Sequence, residues 1–476
     1  MRLRVTILCF TALLLSSAGA WADTIYLKNG RTILADEVHE KGNHYEYDIG
    51  EDSYAVPKSV VDHVEAGGMP VHSASGTTGS TKAADLPVFT PADSLANEGD
   101  LVARIVKEGK VSTDVLSGLE AKGNPELSAT ADFIAGKFEF EHGNVAQSRL
   151  YFESALRFQP DNSTILIYYA ALLVRTGNAA QSLSYAQRAV RTAPNSPDAY
   201  TMLGYAQFAS DHTKDAVVSW KCSLELRPDA AVQRLLAKAQ REQSVESDFA
   251  QGESTHFILH YEGQQTSEAF RGQIIAALEA DYDDLARDLG SPPRDNILVT
   301  LYTEQEFFDV TQAPAWSGAM NDGKLRIPIH GLNSLTPALA HVLKHELAHS
   351  FINHLSAGRC PPWLHEGIAQ FLEPKSLGGN GRQLSVLFKT QRNIPLNVLE
   401  GSFQRFSPAE ANLAYAESLA AVSFINESYG LSDIQRILER IGQGNSTEAA
   451  LRATIHSDYG QLETDLAKYL SDKYGE

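Results

Sequence analysis

Three prolines, Pro160, Pro194 and Pro228, stand 34 residues apart. Gly136, Ala170 and Gly204 keep the same step, as do Ala155, Ala189 and Ser223, and Gly143 and Gly177 repeat it at a Gly-Asn turn. A fixed period of this length constrains the fold more than composition does. Each unit is too short to bury a core alone and must stack on its neighbours. The order within a unit is a small residue in a first helix, a turn, and a second helix stopped by proline, which describes an antiparallel helix pair. The units fall at 129–162, 163–196 and 197–230. A helical segment at 231–246 caps them, and residues 97–128 are expected to hold a degenerate earlier pair. Because each unit touches mainly its neighbours, the array 129–246 is expected to be separable from residues 253–476.

This pattern is the tetratricopeptide signature, so residues 97–246 are expected to be an all-α solenoid. Such arrays either present a concave groove to a peptide or protein, or act as spacers, and the sequence leaves both open. The rest of the 476 residues is long enough for about two further domains. Hydrophobic residues make up 43% and charged residues 21%, which excludes a mostly disordered chain. A formal net charge of −19 argues against nucleic acid as the main partner, since phosphate binding needs a basic face.

Residues 1–22 combine Arg2 and Arg4, an apolar Val5–Leu15 stretch and Ala20-Trp21-Ala22. That is a cleavable signal peptide, so the chain is expected to be exported, periplasmic or secreted, with no transmembrane segment left after cleavage. The apolar stretch is too short to span a bilayer. Cys9 lies within it. The remaining Cys222 and Cys360 fall in different segments and are not expected to pair. Residues 23–65 alternate as a small β domain with Asn29-Gly30 as a hairpin turn, and residues 66–96 read as a Gly/Ser/Thr-rich linker.

After Gln251 the pattern changes again. His256–Tyr261, Ile297–Tyr302 and Lys324–Ile329 read as strands, the last as an edge strand because it holds Pro328. From Thr336 onward the chain is mainly helical. The expected architecture is therefore multidomain: a small N-terminal β unit, a helical solenoid and a C-terminal α+β domain.

His345-Glu346-Leu347-Ala348-His349 is an H-E-x-x-H motif within a helix capped by Thr336 and Pro337 and stopped by Gly358. Histidines at i and i+4 project from one face and can share a tetrahedral zinc. Glu346 flanks that face and can act on a water at the metal without ligating it. A catalytic zinc takes three protein ligands. Glu366, on a new helix after Pro361-Pro362, is placed to be the third. His341, one turn before His345, is better read as a flanking residue.

The segments HELAH and WLHEGIA resemble the gluzincin metallopeptidases, and in particular the peptidase MA-like family. The likeness extends loosely over 253–476. It implies one Zn²⁺ on His345, His349 and Glu366, Glu346 as general base, and a peptide or protein substrate. Tyr415 falls where that family would place an oxyanion-binding tyrosine, although packing explains it equally well. Two positions depart from the pattern. In related aminopeptidases a GAMEN glutamate holds the substrate amine, and here Asn321 stands in its place, which speaks against aminopeptidase activity. Some gluzincins place an aspartate four residues beyond the third ligand. Here that residue is Gln370, whose amide oxygen is expected to accept a histidine N–H without a charge. His354, His365 and Tyr429 are expected to be surface or supporting residues, and Cys360 a bystander. A repeat-based binding scaffold with an inactive zinc domain, or a hydrolase of non-peptide amides, are the other readings.

Overall fold

The computed structural model describes residues 22–28, 32–35, 37–49, 52–68, 98–107, 109–263, 266–312, 318–329, 331–403 and 406–475. The export segment up to Trp21, the Asn29-Gly30 turn, Cys9 and residues 69–97 of the linker region lie outside them. Residues 1–73 and 74–476 make two compact units.

The first unit holds two three-stranded antiparallel sheets. β1 (Ala22–Leu27) pairs with β2 (Thr32–Ala35) and, on its other side, with the strand Val61–Gly68. β3 (Glu37–Lys41), β4 (His44–Ile49) and β5 (Asp52–Pro57) form a meander, and Val61–Gly68 is β6. Ile25, Val56 and Val61 make a small core.

The second unit opens with α1 (Glu98–Ile105), a two-residue hairpin of β7 (Val106–Lys107) and β8 (Lys110–Val111), and α2 (Thr113–Glu120). Two short helices interrupted by a hairpin take the place of the earlier helix pair. The array follows as α3 (Pro125–Glu141), α4 (Val145–Phe158), α5 (Ser163–Arg175), α6 (Ala179–Thr192), α7 (Pro197–Ala209), α8 (Thr213–Leu226) and a capping α9 (Ala230–Glu246). The second helices begin at 145, 179 and 213, which is the sequence period made physical.

The small residues at 136 and 204 have a specific purpose. A Cβ on Gly136 would lie 2.6 Å from the Phe152 ring, and one on Gly204 2.6 Å from the Trp220 ring. The first helix surrenders volume so that the second can bury an aromatic side chain. Ser148 and Ser182, again 34 apart, each donate to the carbonyl at the small position, Gly136 and Ala170, at 2.9 Å. We expect Gly204→Ala to destabilise the chain. Overpacking costs roughly 1–3 kcal/mol, whereas alanine recovers at most about 1 kcal/mol of helix propensity. Trp220 is fully buried and has nowhere to retreat. A urea midpoint above that of wild type would show the reverse.

The C-terminal part begins with a five-stranded sheet. Its strands are β9 (Ala250–Glu253), β10 (Phe257–Tyr261), β11 (Ile297–Tyr302), β12 (Met320–Asn321) and β13 (Leu325–Pro328), in the order β12-β13-β11-β10-β9. β10, β11 and β13 are parallel, and both outer strands are antiparallel to their neighbours. α10 (Glu268–Leu289) and α11 (Glu304–Thr311) make the connections. β11 is central and buried at all six positions, as its unbroken Ile-Leu-Val-Thr-Leu-Tyr composition requires.

The strand with Pro328 is not the edge, as expected above, but second from it. Ile329 N–H donates to Tyr302 O on β11, so the Pro328 nitrogen faces the other side. There β12 pairs only with Leu325 and Arg326, and the missing N–H leaves no ladder bond unmade.

The helices that follow are α12 (Pro337–Ser356), α13 (Pro362–Leu372), α14 (Asn380–Lys389), α15 (Pro408–Tyr429), α16 (Leu431–Gly442), α17 (Thr447–Ile455) and α18 (Tyr459–Tyr474). They share one apolar core with the sheet, including Phe257, Leu278, Val299, Phe351, Trp363 and Ile425. Among the described residues no helix is long and apolar enough to cross a membrane.

The array and the C-terminal part do not sit apart. Gly143 lies so close to Arg359 that a side chain there would strike its guanidinium, and Lys324 and Arg326 of the sheet are buried against α9. The separability expected of a repeat array is opposed here by charges that each part buries against the other.

Candidate metal centre

α12 is placed as its sequence requires. The Thr336 side chain accepts from Leu339 N–H, Pro337 fills the first turn, and the helix ends in a left-handed Ala357 followed by Gly358. The Pro361-Pro362 break starts α13, which folds back against α12. This turn brings Glu366 to the two histidines. Its Oε2 lies 3.6 Å from His345 Nε2 and 3.8 Å from His349 Nε2. One ligand atom from each of the three residues falls within 4.8 Å of the others, a spread that a single ion can bridge. The residues are 1%, 2% and 2% exposed, and Glu346 is fully buried beside them.

Neither nitrogen of His349 and neither oxygen of Glu346 has a hydrogen-bond partner, although all four atoms are buried. Polar atoms left in this state are costly unless something else engages them. Burial, helped by His365 and His345, holds the His349 pKa well below its ordinary value, so the ring is neutral as a metal ligand must be. Burial pushes Glu346 up to about 8; His345 pulls against this, while Glu366 and Glu373 add to it. Glu346 and Glu366 are two buried carboxylates at the histidine rings, and a divalent ion there would draw the Glu346 pKa back down. The donor set of two imidazoles and a carboxylate suits zinc with an open position. The residues present therefore fit the ion.

Glu373 was not anticipated from the sequence. Its Oε2 lies 2.6 Å from His345 Nδ1, the nitrogen facing away from Glu366. Burial opposes charge on His345, but with no cation present Glu373 and Glu366 outweigh it and hold the pKa up at about 10; an ion bound at Nε2 would displace the proton there. A carboxylate there fixes which nitrogen faces the site. Gln370, the residue expected to do this, points elsewhere. Its Nε2 donates to the backbone oxygens of Glu366 (3.2 Å) and Tyr415 (3.0 Å), tying α13 to α15. The two stand seven residues apart from the third ligand in one case and four in the other. Glu366 and Glu373 are two turns apart, but Gln370 lies one turn from Glu366 on the same side, so spacing alone does not choose between them.

Gly367 explains the glycine after Glu366. A Cβ there would lie 2.4 Å from Ser418 O, so α13 and α15 touch backbone to backbone. That contact sets α15, and with it Tyr415, which is 7% exposed and packs edge-on against Phe403. Asn321 is also committed. Its Nδ2 donates to Glu346 O (2.7 Å) and Ser350 Oγ (2.8 Å), pinning β12 to α12. His365 stacks on His349 with ring centroids 4.4 Å apart. His341 is exposed, His354 half-buried, Tyr429 exposed, and Cys222 and Cys360 are both free thiols. A cavity of about 360 Å³ lies away from the three ligands, between the array and the sheet, lined by Asp211, Glu242, Glu246 and His260 among others.

No curated protein matches the chain. Among solved structures, the one titled "Crystal Structure of the Yeast Tom70" matches at 13% identity over 72% of this chain and 76% of that chain. Its TM-score is 0.23, too loose a superposition to bear on the fold. A family model described as the Peptidase MA superfamily matches residues 280–472, the stretch that contains both HELAH and WLHEGIA.

Proposed function

We propose that this protein is an exported zinc metallopeptidase whose repeat array also offers a surface to a protein partner. The observation that carries the reading is the convergence of His345, His349 and Glu366 around buried, unpartnered atoms of His349 and Glu346. The export half rests on the residues 1–22 pattern. When bound, the ion supplies Lewis-acid chemistry, a lowered pKa for water and polarisation of an amide carbonyl. His345 and His349 would hold it through ring nitrogens, with Glu373 fixing the His345 ring, and Glu366 would contribute one carboxylate oxygen. Glu346 takes the proton of the attacking water on its carboxylate and delivers it to the leaving amine nitrogen. The Tyr415 hydroxyl donates to the carbonyl oxygen as it gains charge.

Asn321 argues for internal peptide bonds. Its amide is spent on α12, and it carries no charge to receive a free amino terminus. An extended peptide would add to the sheet at β12, the edge strand next to Glu346. The test is metal analysis of the protein with residues 1–22 removed, together with a peptide-library digest with and without chelator. We expect one zinc per chain, lost in His345→Ala, His349→Ala and Glu366→Ala, and chelator-sensitive cleavage. Stoichiometric zinc in all three variants would remove the assignment.

A further inference from the structure

The three turns between first and second helices of the array fall at Gly143, Gly177 and Asp211, each 34 residues on and each left-handed, with φ of 76°, 72° and 64°. A glycine adopts that conformation without penalty, whereas an aspartate is strained in it. The third unit thus gives up the residue its turn requires. What it gains is a carboxylate aimed at the C-terminal sheet: Asp211 Oδ1 accepts from Lys324 Nζ at 2.8 Å, and Oδ2 lies 3.0 Å from His260 Nε2.

The capping helix α9 reaches the same place. Glu242 has no exposed surface and accepts from Lys324 Nζ and from Arg326 Nη2, the latter at 2.7 Å. Lys238 Nζ lies 2.7 Å from Asp322, and Glu246 accepts from the Tyr302 hydroxyl. Asp322, Lys324 and Arg326 are 2%, 5% and 1% exposed at their side chains. All three lie on the short stretch that carries β12 and β13. Immediately before them is Asn321, whose side chain holds the carbonyl of Glu346. The chain of contacts runs without a gap from the array, through the edge of the sheet, to the backbone of the proposed base.

We infer that Asp211 and Glu242 are positioning residues of the metal centre: the repeat array fixes the edge of the sheet, and through Asn321 the seat of Glu346. This rests on the peptidase reading for its catalytic consequence but not for its structural one. The array is then a built-in part of the site, and the edge strand that would meet a peptide is held from the repeat side.

Asp211→Gly separates this from a local role. It restores the repeat's own residue and removes backbone strain, so a purely local role predicts a chain as stable as wild type or more so, with unchanged amide exchange over 318–329. The positioning role predicts faster exchange over 318–329 and 343–350 in the full-length chain, with zinc content unchanged because no ligand is touched. Glu242→Gln should do the same more strongly. With a peptide substrate in hand, kcat should fall about 10-fold, with zinc retained. Asp211→Glu should recover part of the loss. Unchanged exchange over 318–329 in both variants would overturn the inference, and so would a rise in kcat, which would make the contact a restraint. If wild type shows no cleavage, the peptidase reading fails, and the exchange data still decide the positioning role.

Discussion

Glu346→Gln is expected to retain zinc and to lose turnover by about 10²–10⁴-fold, the usual worth of a positioned general base. Glutamine is nearly isosteric, and the backbone bond from Asn321 Nδ2 to the residue's carbonyl does not involve the side chain. α12 and its two histidines therefore stay in place. What disappears is the carboxylate that lies fully buried beside the ligands with neither oxygen otherwise engaged. Single-turnover assays with a cleaved library peptide, run beside metal analysis, measure both quantities on one preparation. Cleavage at the wild-type rate with full zinc would remove Glu346 as the base. Tyr415→Phe in the same assay should cost roughly 10²-fold in kcat with little change in KM, because its bond strengthens only as charge develops on the oxygen. An unchanged kcat would return Tyr415 to its packing against Phe403.

Glu242→Gln is expected to cost about 3–5 kcal/mol of stability at neutral pH, the range for removing one partner from a buried ion pair. Arg326 and Lys324 would keep their charges and lose the carboxylate that both share. The loss has a pH signature. Burial by itself would raise the Glu242 pKa, but Arg326 and Lys324 outweigh it and bring it down to about 2. A depressed carboxyl stabilises fully above its unfolded value, and the contribution fades as pH falls toward 2. Burial likewise opposes charge on His260, yet Asp211 and Glu246 hold its pKa up at about 9. A raised histidine stabilises fully below its unfolded value, and the contribution is lost as pH climbs through about 9. The wild-type urea midpoint should therefore be highest between about pH 4.5 and 6.5 and fall on both sides. Glu242→Gln should flatten the acid limb. A variant with the wild-type midpoint would show that the junction contributes nothing net.

The helical array was legible because its signal is arithmetic. Small residues, turn glycines and prolines recur at one period whatever surrounds them, and the helices start where that period puts them. The three residues of the candidate metal centre were legible for a similar reason: His345 and His349 lie one turn apart on one helix, and a Pro-Pro break soon afterwards starts a second helix free to fold back on it. Glu373 was not, because spacing along a helix says nothing about which of two polar residues, Gln370 or Glu373, meets a particular ring nitrogen. That depended on how α13 lies against α12 and α15. The place of β13 inside the sheet also escaped, since a two-residue β12 leaves almost no trace in a sequence. Least visible was the purpose of Asp211, Glu242, Lys324 and Arg326. In the sequence they are ordinary charges scattered over more than a hundred residues. Local periodicity records which faces must be buried, so it determined the elements. Only the packing of the array against the sheet decided which charges lose water together and must therefore be paired.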